Sequence, residues 1–96
     1  MRKYELMVIF APQLDEENLA AQIERTKGLI TNVGGEVEKV DQWGKRRFAY
    51  EINENTEGFY VVIDFAAESG ATSEVERILK ITDEVVRYLL VRTDGE

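Results

Sequence analysis

The order of strands and helices along the 96-residue chain predicts an α+β fold, in which a four-stranded antiparallel sheet carries two helices on one face. The prediction depends on two stretches with helical periodicity, on four stretches with the composition of strands, and on their order, β-α-β-β-α-β. Two βαβ halves of this kind combine into the ferredoxin-like split arrangement. Right-handed crossovers then place the first and third strands in the centre of the sheet and leave its other face uncovered.

The first strand and the first helix have clear sequence signals. Residues 2–10 alternate in polarity and are followed by Pro12, so we expect a strand there. Asp15 is a good helix N-cap, and the acidic residues after it suit the positive end of the helix dipole. Gly34 and Gly35 supply the helix stop. Between these signals, the apolar residues at helical spacing are Leu19, Ile23, Ile30 and Val33.

The middle of the chain predicts two further strands joined by a turn. The second strand begins at Val37 and runs, with a break at Gly44, to about Ile52. Residues 53–58, "NENTEG", have the composition of a turn, and residues 59–65 have that of a strand. The second strand therefore lies at an edge of the predicted sheet.

The last quarter of the chain predicts a short helix and the fourth strand. Ser73 and Glu76 have the spacing of a capping box, and the helix is expected to continue through Ile81. Three apolar side chains face inward on it: Val75, Ile78 and Leu79. Residues 85–92 form the last predicted strand.

Length and composition suit a single folded domain over residues 1–96. The sequence is 44% hydrophobic and 32% charged, which is typical of a globular chain. No apolar run approaches the ~18 residues that a membrane helix needs, and the N-terminus lacks a signal-peptide pattern. We therefore expect a cytoplasmic location.

The sequence contains no cysteine and no histidine. Disulfides, zinc–thiolate sites, imidazole metal sites and Ser–His or Cys–His nucleophilic pairs are therefore excluded. Carboxylate catalysis and a Mg²⁺ site need neither residue, but no paired acidic motif indicates one. We expect no enzymatic activity and no cofactor or metal site.

The second strand contains three adjacent cations, although the chain has a formal net charge of −7. Lys45, Arg46 and Arg47 could protect an exposed sheet edge from pairing with other strands. They could equally bind an anion, since arginine side chains are suited to phosphate groups. Trp43, the only tryptophan, could cap the core or serve as an exposed protein contact, and the core is favoured.

Further cations fall near the two ends of the chain. Arg2 and Lys3 open the first strand, and Arg87 and Arg92 lie on the last. Because these strands are antiparallel neighbours in the predicted sheet, Arg92 should lie near Arg2. We therefore predict a second cationic spot, to which Lys80 at the end of the second helix could contribute.

The third strand argues against an RNA-recognition motif, which has the same topology. Glu57, Val61 and Asp64 stand where that motif has a cation and two aromatic residues. The aromatic stacking platform is therefore missing, and we expect Phe59 and Phe65 in the core.

Five segments, taken together, resemble one known family. They are "MRKYE" at 1–5, "GGEV" at 34–37, "WGKRRFAYEI" at 43–52, "GFY" at 58–60 and "KITDEVVRYLLVR" at 80–92. In this order they are similar to the bacterial small-subunit (30S) ribosomal protein S6 family. The family usually has Leu where this chain has Phe48, a change that preserves an apolar side chain, and the polar or acidic C-terminal extension of some relatives has no counterpart here.

The resemblance implies a structural, non-enzymatic ribosomal protein that is a monomer when isolated. It implies binding to the central domain of small-subunit rRNA together with ribosomal protein S18, in subunit assembly and translation. The basic partner would reconcile RNA binding with an acidic net charge. The resemblance implies RNA contacts at Arg2, Tyr4, Lys45, Arg46, Arg47, Lys80, Arg87 and Arg92. It implies partner contacts at Trp43, Phe48 and Tyr50.

A second hypothesis belongs to a different functional class. The chain could be a ferredoxin-like regulatory or dimerisation module that binds through the uncovered sheet face. Met7, Ile9, Leu89 and Val91 would then form an exposed apolar strip. This hypothesis predicts a stable homodimer.

Overall fold

The order of elements in a computed structural model of the chain is the predicted one. The structure describes residues 1–52 and 55–94, and the side chains of residues 51 and 52 are outside this description. The elements are β1 (Arg2–Phe10), α1 (Glu16–Asn32), β2 (Glu36–Ile52), β3 (Asn55–Ala67), a 3₁₀ turn (Ser69–Ala71), α2 (Thr72–Lys80) and β4 (Val85–Arg92). The strands are antiparallel in the order β2-β3-β1-β4, which confirms the central position of β1 and β3 and the edge position of β2.

The core lies between one face of the sheet and the two helices. β1 and β3 pair so that Leu6 is opposite Ile63 and Val8 is opposite Val61, and all four side chains are fully buried. Alternate residues of a strand point to opposite faces, so the remaining residues of these strands form the second face, called the open face below. The helices complete the core with Leu19, Ile23, Ile30, Val75 and Leu79.

The predicted ends of α1 are confirmed. The Asp15 carboxylate accepts a hydrogen bond of 2.7 Å from the backbone N–H of Asn18. Gly34 follows the helix with φ +86°, a conformation that glycine adopts without steric cost. Thr26 occupies the apolar stripe of α1, where its buried hydroxyl donates to the carbonyl of Gln22 at 2.9 Å.

The predicted capping box of α2 is wrong. The Ser73 hydroxyl donates to the carbonyl of Gly70 at 3.1 Å, and Glu76 accepts a hydrogen bond of 3.1 Å from the hydroxyl of Tyr88. The 3₁₀ turn leads directly into α2, so the helix begins without a side-chain cap. Lys80 ends the helix, one residue before the predicted Ile81.

The strands of the β2–β3 pair are longer than predicted. β2 does not break at Gly44, because a register shift between Gln42 and Gly44 keeps the strand paired, and Gly44 has φ +86°. β3 begins at Asn55, so the predicted turn over 53–58 is wrong for residues 55–58. Residues 53 and 54 lie outside the described part of the chain.

Gly58 lets the extended part of the β2–β3 pair pack against β1. A Cβ atom at this position would lie 2.6 Å from Cγ2 of Ile9, 2.9 Å from the carbonyl oxygen of Phe10 and 3.2 Å from Cζ of Phe48. A backbone oxygen cannot move away as a flexible side chain can. The close approach of these strands therefore requires glycine here.

We expect Gly58→Ala to destabilise the protein by about 1–3 kcal/mol, since the added methyl group overpacks this contact. Gly70→Ala is the matched control, because its Cβ would have no neighbour within 4 Å. Urea denaturation of both variants measures the change in unfolding free energy. Equal stability of Gly58→Ala and the wild type would contradict the proposed close packing.

A second prediction concerns Tyr88 of β4, whose hydroxyl bonds to Glu76 of α2. Burial, followed by this hydrogen bond, raises the pKa of Tyr88 above its ordinary value of 10.0. The folded protein then holds the phenol proton more tightly than the unfolded chain does. The resulting stabilisation is complete below the ordinary pKa and is lost as the pH rises through the raised value.

Tyr88→Phe should therefore cost about 1 kcal/mol at neutral pH, and its disadvantage should shrink at strongly alkaline pH. The control is Tyr50→Phe, because Tyr50 is 83% exposed. Urea denaturation at neutral pH and near pH ~11 tests both variants. A constant stability difference between Tyr88→Phe and the wild type across this range would refute the role assigned to Tyr88.

Candidate RNA and protein interface

The three adjacent cations lie on the edge strand β2, and two of them rest on aromatic rings. The Lys45 ammonium is 5.1 Å from the centre of the Phe59 ring, and the Arg46 guanidinium is 5.7 Å from the Trp43 ring. Lys45, Arg46 and Arg47 are all exposed, and none has an ion pair with a side chain that the structure describes. Their edge position fits protection of the sheet, and their unpaired charge leaves them available to an anion.

An aromatic cluster lies beside these cations on the open face. The rings of Trp43 and Tyr60 are nearly parallel, with an interplanar angle of 4° and centres 6.3 Å apart. Phe48 packs against Tyr60 at a tilt of 56°. Trp43 is 49% exposed, so the predicted core position is wrong. Its ring instead stacks on the ring of Tyr60, on a solvent-facing part of the sheet.

Next to the aromatic cluster is a groove of about 470 Å³, to which both edges of the sheet contribute. Its lining residues are Met7, Ile9, Arg47, Phe48, Ala49, Tyr50, Tyr60, Arg87, Tyr88 and Leu89. β3 and β1 lie between β2 and β4 in the sheet. The C-terminal end of β2 must therefore approach β4 across the open face, close to the point where Gly58 packs against β1.

The register agrees with the predicted proximity of Arg92 and Arg2, because Arg92 is opposite a residue two positions from Arg2 on the same strand face, but Arg87 lies apart from both. Arg92 lies opposite Tyr4 and so belongs to the helix side, whereas Arg87 lies opposite Ile9 and belongs to the open face. Arg2 is exposed at the start of β1, and Lys80 is exposed at the end of α2. The two arginines of β4 therefore lie on different faces, because they are five positions apart and successive residues of a strand alternate between faces.

Two of the cations at this end of the sheet are already paired. Arg92 donates to the carboxylate of Asp94 at 2.7 Å, a bond that lowers the pKa of Asp94. Lys3 makes an ion pair with Glu38, whose hydrogen bond raises the pKa of the lysine. Exposed pairs of this kind are weak, so either cation can exchange its carboxylate for another anion.

Tyr4 is a core residue, which corrects its expected role as a base or sugar contact. It is 8% exposed, and its ring stacks on Phe65 with the ring centres 5.5 Å apart. Phe65 is buried as predicted, while Phe59 is half-buried against the core. Stacking of an RNA base on Tyr4 would require the core to open.

The apolar strip of the second hypothesis is interrupted. Leu89 and Val91 are exposed, but Ile9 is 4% exposed and Met7 is half-buried. The sequence analysis also missed Tyr60 as a site residue. Alternation along the third strand places Tyr60 on the face opposite Phe59, and this signal was present in the sequence.

In the described part of the chain, no three Asp, Glu, His or Cys side chains are grouped so that they could hold a metal ion. None of the helices there has the length and hydropathy of a membrane-spanning segment.

Comparisons with known proteins agree on one family. The family described as "Ribosomal protein S6" matches residues 3–92. The small ribosomal subunit protein bS6 of Carboxydothermus hydrogenoformans is 51% identical over 94 residues, covering 98% of each chain. The protein of the same name from Thermoanaerobacter pseudethanolicus is 50% identical, covering 98% of this chain and 99% of its own.

A solved structure supports the same assignment. The crystal structure of 30S ribosomal protein S6 from Thermotoga maritima matches with a TM-score of 0.92 and 39% identity. The match covers 96% of this chain and 87% of that one. The ferredoxin-like fold and the family resemblance found in the sequence are both confirmed. The chain belongs to the family of ribosomal protein S6 of the small ribosomal subunit.

Proposed function

We propose that this chain is a structural, non-catalytic component of the small ribosomal subunit that needs no cofactor. It forms one ferredoxin-like domain over residues 1–96 and acts in the bacterial cytoplasm. It binds the central domain of small-subunit rRNA together with ribosomal protein S18, and so takes part in subunit assembly and translation. The main support is the set of unpaired cations on β2 beside an exposed aromatic face, in a protein with a net charge of −7.

The RNA contacts are assigned to exposed cations without an ion pair. Among the predicted RNA contacts, those that meet this condition within the described part of the chain are Arg2, Lys45, Arg46, Arg47, Lys80 and Arg87. Arg92 must first leave Asp94, so its contribution is smaller. Contacts of this kind position the RNA backbone and carry little sequence information, so recognition depends on RNA shape.

The partner contacts are assigned to the aromatic side of the open face. Trp43 and Tyr50 are exposed there, and Phe48 lines the groove and packs against Tyr60. Exposed aromatic residues of this kind are enriched in the buried centres of protein interfaces. A basic partner protein bound beside the cations would offset the acidic charge of this chain, so we expect tight RNA binding only when S18 is present.

Salt dependence tests the RNA contacts. Binding of the wild-type protein and S18 to a central-domain rRNA fragment is measured over a range of salt concentrations. Replacing Arg2, Lys45, Arg46 and Lys80 by Gln should reduce the slope of log K against log salt by about 3–4, or about 0.9 for each residue. Arg25→Gln is the control, since Arg25 is an exposed cation on α1.

Three outcomes of this titration are informative. A slope that is reduced by the four substitutions but not by Arg25→Gln supports the assigned contacts. A slope that the four substitutions leave unchanged would show that these cations do not touch phosphate groups. The absence of RNA binding both with and without S18 would overturn the proposed function.

The dimerisation hypothesis depends on the apolar side chains that are exposed on the open face. Leu89, Val91 and Trp43 are exposed apolar side chains on this face. Because Ile9 is covered and arginines border the groove, we expect the isolated protein to be a monomer. Sedimentation velocity over a wide concentration range measures this, and a stable homodimer would favour the regulatory module instead.

A further inference from the structure

Asp94, two positions after the end of β4, places a carboxylate on one of the cations assigned to RNA. Its Oδ1 atom accepts a hydrogen bond of 2.7 Å from Nε of Arg92. The side chain of Asp94 is 24% exposed and that of Arg92 is 39% exposed, so the carboxylate is the better covered of the two. The contact takes one donor of the guanidinium group and offsets its charge.

The backbone holds this carboxylate in place. The N–H of Thr93 donates to the carbonyl of Lys3 at 2.9 Å, which continues the pairing of β1 with β4 one residue beyond Arg92. A group that is tied beside its target acts at a high effective concentration, because little freedom remains to be lost when the contact forms. Asp94 is therefore a preorganised anion at the end of the sheet.

The carboxylate of Asp94 also stays charged. The hydrogen bond from Arg92 lowers the pKa of Asp94 and outweighs the opposing effect of burial, and a backbone hydrogen bond from Lys3 adds to the lowering. The same carboxylate acts on the Lys3 ammonium, whose pKa is raised first by Glu38 and to a lesser extent by Glu36 and Asp94. One carboxylate thus offsets positive charge at two cations.

The cations of β2 are held in a different way. Lys45 lies over the Phe59 ring and Arg46 over the Trp43 ring. An aromatic ring attracts a cation without neutralising its charge and leaves its N–H donors free. The cationic site on β2 is therefore open to an anion, whereas the guanidinium group at the end of β4 already holds an anion of the chain itself.

A carboxylate and a phosphate compete for the same guanidinium group. Both accept hydrogen bonds from its N–H donors, and both carry negative charge. A phosphate that approaches Arg92 must displace Asp94 or lie beside it, where like charges repel. Either route lowers the free energy that a phosphate contact at Arg92 can contribute.

We propose that Asp94 is an autoinhibitory residue, whose carboxylate takes the place of an RNA phosphate on Arg92 and lowers the affinity of the protein for RNA. The phosphate displaces the carboxylate when RNA binds. The β2 cations need no such exchange, so they contribute fully, whereas Arg92 contributes only as far as the phosphate outcompetes Asp94. The inference rests on the proposed function, because it assumes an RNA contact at Arg92.

Asp94→Asn tests the proposal, because it removes the charge with little change in shape. The full-length variant and the wild type, each with S18, are titrated against the central-domain rRNA fragment over a range of salt concentrations. We expect the variant to bind about two- to fivefold more tightly at low salt, which is the effect of one exposed ion pair. Its slope of log K against log salt should be steeper by up to about 0.9.

Glu24→Gln is the matched control. Glu24 pairs with Lys27 at 3.1 Å on α1, so its replacement also removes one negative charge and frees one cation. No RNA contact is assigned to α1, and the control should therefore have the affinity and the salt slope of the wild type. A gain equal to that of Asp94→Asn would show that net charge alone sets the affinity, and would overturn the proposal.

A double-mutant cycle isolates the pair. Asp94→Asn is repeated in a protein that carries Arg92→Gln, and we expect no gain in RNA affinity there, because the cation on which Asp94 acts is gone. A gain that persists without Arg92 would overturn the proposal. Thermal unfolding of each variant checks that these surface substitutions leave the fold intact.

The failure of this inference is distinguishable from the failure of the proposed function. If the wild type binds the rRNA fragment with S18 and Asp94→Asn binds equally well or more weakly, the autoinhibitory role is wrong and the proposed function stands. If neither protein binds the fragment with S18 at any salt concentration, both proposals fail.

Discussion

The register between β1 and β3 is the constraint on which the rest of the structure depends. It places Leu6 against Ile63 and Val8 against Val61, so that both central strands direct the same alternate residues toward the helices. A slip of one residue would move these buried side chains to solvent. The same register places Ile9 opposite Tyr60, so the open face acquires its aromatic character from the pairing that builds the core.

The acidic protein accommodates its row of cations through its aromatic neighbours. Lys45 lies over Phe59 and Arg46 over Trp43, and each contact of this kind contributes about 0.5–1 kcal/mol at an exposed site. The contacts hold the charges near the sheet edge but leave their hydrogen-bond donors free. An edge strand that must remain unpaired in the free protein can therefore serve as a binding surface in an assembly.

The groove exists because strands at opposite edges of the sheet approach each other. Its walls include Tyr50 from β2 and Leu89 from β4, although two strands separate β2 from β4. Gly58 permits this by letting the β2–β3 pair contact β1 at backbone distance. A side chain at position 58 would therefore disturb both the packing of the strands and the shape of the groove.

The sequence by itself determined the order of elements, the central strands, the caps of α1 and the edge position of the three cations. These features follow from local signals, such as the alternation of residues 2–10 and the N-cap Asp15, together with general rules of connection. Tertiary structure alone decided that Trp43 stacks on Tyr60 in solvent, that Tyr4 is buried, and that Arg87 joins the groove. The physical reason is that burial and side-chain contact depend on how far β2 reaches across the sheet. No local pattern in the sequence encodes that distance.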